Sequence, residues 1–201
     1  MLYKKLEALY SNNQTLSEEY PLQEYFPLLQ MFISKEVGLG AEYLSPYRFS
    51  LFFSKPSIEA VRLFLGLADC EEIVEIRYKY ECDQCGTINI LKNEDALFNF
   101  KCIECGFEDH LITTDYLSEV KLLFKINEDL LDEVKTNLKG NPLSNEFESS
   151  AATLERGTDM DVSLAMADEA IHTEHGKPIG SKGLEIHEKL SNYRRILRKR
   201  D

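Results

Sequence analysis

The spacing of the cysteines constrains this chain more than any other feature. Four of its five cysteines form two pairs, Cys82-Asp83-Gln84-Cys85-Gly86 and Cys102-Ile103-Glu104-Cys105-Gly106. The pattern is C-x2-C-x16-C-x2-C, within the spacing of a four-thiolate zinc centre. A two-residue gap lets both thiolates of one tight turn reach a single ion. A tetrahedral ion takes two such turns, at about 2.3 Å per sulfur. Gly86 and Gly106 stand where each turn bends back and a positive φ is favoured. The pattern predicts a structural Zn2+ held by Cys82, Cys85, Cys102 and Cys105. Iron on four thiolates and a pair of disulfides are the alternatives the spacing leaves open. A redox CxxC motif fits less well, because it usually occurs once, at a helix start near a βαβ unit. Cys70 has no partner pair and reads as a small buried apolar residue.

Charge narrows the function classes. Thirty-five acidic against 23 basic residues give a net charge of −12, which argues against a surface built to neutralise phosphates. Residues 81–140 are the most acidic part, with 13 acids and 6 bases. Acids also crowd the knuckles: Glu81, Asp83, Glu104, Glu108 and Asp109. No run approaches the ~18–20 apolar residues of a membrane helix. The first residues lack the apolar core of a secretory signal. The expectation is a cytoplasmic protein with no membrane partner.

The rest of the chain has three textures. Residues 20–37 place Leu22, Tyr25, Phe26, Leu29, Phe32 and Ile33 mostly at helical spacing, with Pro27 marking a first turn or a kink. A short aromatic run, Ser45–Phe53, follows, and Pro56-Ser57-Ile58-Glu59 opens another helix carrying Val61, Phe64 and Leu65 on one face. From Val74 the pattern switches to period two. Val74, Ile76, Tyr78 and Tyr80 alternate with Glu75, Arg77, Lys79 and Glu81, and Val120, Leu122, Phe124 and Ile126 alternate later. Thr87–Lys92 reads as the return strand, Asn93-Glu94-Asp95 as its turn, and Phe98, Phe100 and Cys102 as a further strand. Asn127 caps a helix with Leu130, Leu131, Val134 and Leu138 in a stripe, expected to cover the open face of the ribbon sheet.

The two CxxCG knuckles with their flanking strands resemble the zinc ribbon family over about residues 73–126, although Asp83 and Ile103 stand where the family commonly has proline. This resemblance implies a fold and a metal, and it does not choose among transcription, ribosomal, nucleic-acid-processing and adaptor roles. The preceding order of helix, short element, helix and strand over residues 20–80 resembles a winged helix. A groove-reading helix there would present Arg, Lys, Asn or Gln, and the only candidates are Lys55 and Arg62 beside Glu59 and Asp69. A core or protein-contact helix is the favoured reading.

The expected fold class is α+β. It divides into a helical, winged-helix-like domain (1–72), a zinc ribbon with covering helix (73–140), a linker (141–160) and a helical tail (161–201). In the tail, a short amphipathic helix is expected at about residues 162–171. The last helix, at about residues 184–199, carries Ile186, Leu190, Tyr193 and Leu197 on one stripe and ends in Arg194, Arg195, Arg198, Lys199 and Arg200. The stripe and the arginines together are the candidate partner-binding residues. Cations in a last turn also complement the helix dipole with no partner at all.

No P-loop, G-x-S-x-G, H-E-x-x-H or G-x-G-x-x-G motif is present. His172, Glu174, His175 and His187 read as exposed polar residues, and His110 as a strand surface residue. A closed four-thiolate centre leaves no open position for substrate. The leading expectation is a non-enzymatic adaptor or accessory subunit of a larger assembly. It has a protein partner and resembles in layout small proteins of prokaryotic defence systems. A DNA- or RNA-binding regulator is the alternative.

Overall fold

A computed structural model describes residues 2–139 and 161–199. It is an α+β structure. Helices α1 (Leu2–Asn12), α2 (Gln14–Glu19) and α3 (Leu22–Gly38) lead to a two-residue strand β1 (Tyr43–Leu44). Helices α4 (Pro46–Phe53) and α5 (Ser57–Leu67) follow, then strand β2 (Val74–Glu81). The aromatic run is therefore a helix. Ser45 caps it by accepting from Arg48 N, and Pro46 has the preset φ of a first helical turn. Ser54 ends it in the left-handed region, at φ 53°. Helix α3 runs through Pro27.

Four phenylalanines join these elements. Phe32 of α3, Phe49 of α4, Phe64 of α5 and Phe124 are all essentially inaccessible. Their rings meet edge to face, with Phe32–Phe49 at 5.3 Å, Phe49–Phe64 at 5.7 Å and Phe64–Phe124 at 5.4 Å between centroids. That arrangement suits the ring quadrupoles, and each buried ring contributes about 2–3 kcal/mol through its removal from water.

Phe124 lies on β6 (Lys121–Ile126), which pairs antiparallel with β2 from Val74↔Ile126 to Lys79↔Lys121. Between these neighbouring strands the chain makes an excursion. It contains β3 (Ile88–Leu91), α6 (Glu94–Phe98), β4 (Phe100–Lys101), β5 (Glu108–Asp109) and a 3-10 turn at Thr114–Tyr116. Strand β3 pairs with β2, and β4 with β5 in a second small sheet. The segment read as a turn is the start of α6, because Asn93 accepts from Ala96 N and makes a cap. Phe98 is thus helical, and the strand after it shrinks to two residues. Helix α7 (Glu128–Lys139) starts at the Asn127 cap, as its sequence implies. It packs on α3, with Leu138 against Gly38, instead of on the ribbon sheet.

The expected linker, 141–160, lies outside the described residues. The segment after it is built into the main sheet. β7 (Val162–Ser163) pairs with β6 at Leu122 and Lys121, while β1 pairs with the same strand at Phe124 and Lys125. Since β2 occupies the other edge of β6, β1 and β7 lie end to end along one edge. Helices α8 (Leu164–Ala170) and α9 (Ser181–Leu197) then close over α5. Leu65, Leu122, Leu164, Ile171, Ile186 and Leu190 surround one small void of about 10 Å3. No residue of α5 is exposed. Asp69 anchors the start of α9, accepting from Lys182 N at 2.7 Å, Ser181 N at 3.0 Å and Asn13 Nδ2 at 3.1 Å. No helix among the described residues is long and apolar enough to cross a membrane.

Candidate metal centre

Each knuckle follows from the same local chemistry. Cys82 N donates to Thr87 O at 2.9 Å and Gly86 N to Cys82 O at 2.7 Å. In the second knuckle, Cys102 N donates to Phe107 O at 2.8 Å and Gly106 N to Cys102 O at 3.1 Å. Gly86 and Gly106 take φ of 71° and 73°, values an L side chain resists. Glycine after each second cysteine is what lets the chain turn back to a sheet partner.

The two turns bring the four sulfurs together. All lie within 4.8 Å of one another, with Cys82 Sγ–Cys105 Sγ at 3.7 Å and Cys85 Sγ–Cys102 Sγ at 3.6 Å. Bonds of 2.3 Å to a central ion would set tetrahedral edges of about 3.8 Å, so the cluster can hold a metal ion such as zinc. The close pairs run between knuckles and are far longer than the ~2.05 Å of a disulfide. None of the five cysteines is in a disulfide. Cys82 and Cys102 are buried, and Cys85 and Cys105 are exposed. Cys70 is half-buried and outside the cluster.

The backbone N–H of Cys105, against burial and aided by the N–H of Glu104, brings Cys102 down to about 6. Cys105 itself is pushed up to about 12; the Phe107 N–H favours its thiolate, but burial and the neighbouring sulfurs outweigh it. Four sulfurs this close cannot all ionise beside one another without a positive charge between them.

Asn89 is a contact of the cysteine cluster that the sequence reading missed. It is buried on β3. Its Nδ2 donates to Thr87 O at 2.8 Å and stands 3.7 Å from Cys102 Sγ, and its Oδ1 accepts from Ile103 N at 3.1 Å. Asn89 therefore ties the first hairpin to the second knuckle. A polar residue between two isoleucines in a strand is the signal that could have found it. The Thr87 hydroxyl lies 3.3 Å from Cys85 Sγ. Second contacts of this kind orient thiolates and tune affinity.

The tail residues divide. Ile186 and Leu190 are buried in the chain's own core, and Leu197 packs against it. Tyr193 stacks on Phe98 at 4.5 Å, Phe98 stacks on His110 at 4.7 Å, and the Tyr193 hydroxyl donates to Asp95. Arg194 Nε donates to Ile112 O at 2.9 Å. Lys189 Nζ lies 3.0 Å from Glu94 Oε2, whose other oxygen accepts from Tyr78 OH at 2.5 Å. Helix α9 thus clamps the ribbon to the body. Arg195, Ile196 and Arg198 are exposed.

The other candidates are accounted for. Lys55 lies over the Tyr25 ring and Arg62 is half-buried on α5. His187 Nδ1 is 2.6 Å from Asp168 Oδ1, and His172 pairs through its backbone with Pro178. Among the described residues no second group of three or more metal-ligating side chains forms. No family model matches the chain, and neither the curated proteins nor the solved structures contain a match.

Proposed function

We propose that this chain is a non-catalytic accessory module whose zinc ribbon, clamped by α9 to a winged-helix-type body, contacts other proteins. The observation that carries this reading is the enclosure of α5. The order α3–β1–α4–α5–β2 supports the winged-helix likeness, and in that likeness α5 is the helix that would enter a DNA groove. Here it lies under α4, α8 and α9 with no fully exposed residue; of its partly accessible side chains only Arg62 is a base-reading type, and it stands beside Glu59. The ribbon presents carboxylates, which repel phosphates. Zinc is the ion that suits four thiolates with no open position, and its role is to hold the ribbon.

Co-purification from the native source, with nuclease treatment and metal analysis, tests the proposal. The expected result is a complex of defined protein stoichiometry with one zinc per chain. A chain that stays a lone monomer beside its natural neighbours overturns it.

A second reading rests on the exposed end of α9, where Arg195, Arg198 and Lys199 make no ion pair among the described residues. It predicts nucleic-acid binding that falls steeply with salt and is lost on charge reversal at Arg195 and Arg198.

A further inference from the structure

Strand β3 inverts the usual logic of a strand. In the sequence Ile88-Asn89-Ile90-Leu91 the asparagine is buried, while Ile88 is 52% and Ile90 46% exposed. The register is set by the knuckle, since Cys82 N bonds Thr87 O and Asn89 must face the second knuckle. Two large apolar side chains are left in water as a consequence.

β3 is also the last strand of its sheet, with β2 on one side only. Hydrogen-bonded and non-bonded pairs alternate along an antiparallel ladder. The bonded pair Cys82–Thr87 makes Tyr80–Asn89 and Tyr78–Leu91 the next bonded pairs in the register. The N–H and C=O groups of Ile88 and Ile90 then point away from β2, at the open edge. Natural edges are usually blunted by charge, proline or a bulge. This one presents two isoleucines and two outward donors.

We propose that the β3 edge receives an extended, basic segment of another protein, which adds a strand to the sheet. This rests on the accessory-module reading above. Charge selects the occupant. Glu81, directly across from Ile88, is exposed and has no cation partner among the described residues. The same is true of Asp83, and of Glu104, which sits beside the 79%-exposed Ile103. A second copy would set these acids against their like. An incoming strand with Lys or Arg at the knuckle end, and apolar residues at alternate positions beside Ile88 and Ile90, meets both needs.

The test uses the full chain with a photo-crosslinking residue at Ile88, irradiated in its native source, the cross-linked peptide then being sequenced. The complex is reassembled with the partner so identified. The expected peptide is non-self, net basic and alternately apolar. In the complex, the Ile88 and Ile90 amides should exchange at least about tenfold more slowly. Ile90→Pro removes one outward donor without breaking the β2 ladder and should weaken the complex about tenfold. Ile90→Thr keeps the donor and should weaken it less. Retained zinc content shows that each variant is folded. A cross-link to a second copy, or to an acidic or helical segment, overturns the proposal. So does a complex indifferent to Ile90→Pro, although the accessory reading then stands. Absence of any complex overturns both.

Discussion

Asn89 shows how one residue sets a site. Its amide holds Thr87 and Ile103 backbone groups and faces Cys102. Asn89→Ala leaves the Ile103 N–H without its acceptor and loosens the second knuckle. We expect the fold to survive and zinc affinity to fall about 10–100-fold, read by competition with a chromophoric chelator. Glu94 gives a prediction in pH. Burial raises its pKa, but donation from Tyr78 and Lys189 outweighs that and leaves it below the usual carboxylate value. A lowered carboxylate pKa stabilises above the unfolded value, about 4.3, and the contribution is lost as pH falls through the folded pKa. Glu94→Gln should therefore cost about 1–2 kcal/mol near neutral pH, discounted because Lys189 is half exposed. The gap to the unmodified chain should close in acid below about pH 4, as measured by urea unfolding across pH.

At the scale of elements, α9 depends on one anchor. Gly180 precedes the helix and offers no side-chain cap; Asp69, distant in sequence, accepts from Ser181 N and Lys182 N instead. A Cβ at position 180 would fall 2.5 Å from Asp69 Oδ2. Gly180→Ala must displace that carboxylate, and Asp69→Ala removes it. Each should cost about 1–2 kcal/mol in chemical denaturation. The double variant should cost little more than either alone, because both break the same contact. Additive losses would show that the clash acts elsewhere. Some strand and helix starts in this chain were legible beforehand, although α1, α2 and α6 were not. Val74–Glu81 alternates cleanly, Asn127 caps α7, and Pro56 precedes α5. Ser45–Phe53 was not legible, because an eight-residue aromatic helix has little room for a 3.6 period, and Ser45 and Pro46 were its only start signals.

At the scale of the molecule, two supports hold the chain, and they respond to different perturbations. Chelation of the metal, or Cys82→Ser, should release β3, β4 and β5 while the phenylalanine core of α3, α4, α5 and β6 persists. Hydrogen exchange should then quicken across residues 82–112 and stay slow in α5. Truncation after residue 139 acts on the other support. It removes β7 from β6 and uncovers α5, including the buried contacts of Leu65. We expect a poorly soluble chain with a lowered Tm, because apolar surface on a helix without exposed residues would meet water. A 1–139 fragment as stable as the whole would contradict the burial of Ile186 and Leu190.

The sequence by itself determined the four-cysteine cluster that can hold a metal, the glycines that turn the knuckles, the alternating strands and the Asn127 cap. Each of these is local chemistry. Ligand spacing, φ preference and periodicity act over a few residues and need no knowledge of what lies opposite. Only the tertiary structure decided that the C-terminal segment completes the body, that α5 is sealed, and that β3 turns its isoleucines outward. Those outcomes depend on partners far apart in the chain. β7 meets β6 across some forty residues, and Asp69 meets Lys182 across more than a hundred. The stripe of Ile186 and Leu190 reads the same whether its groove belongs to this chain or to another. The groove's location is a matter of packing, and period alone carries no information about it.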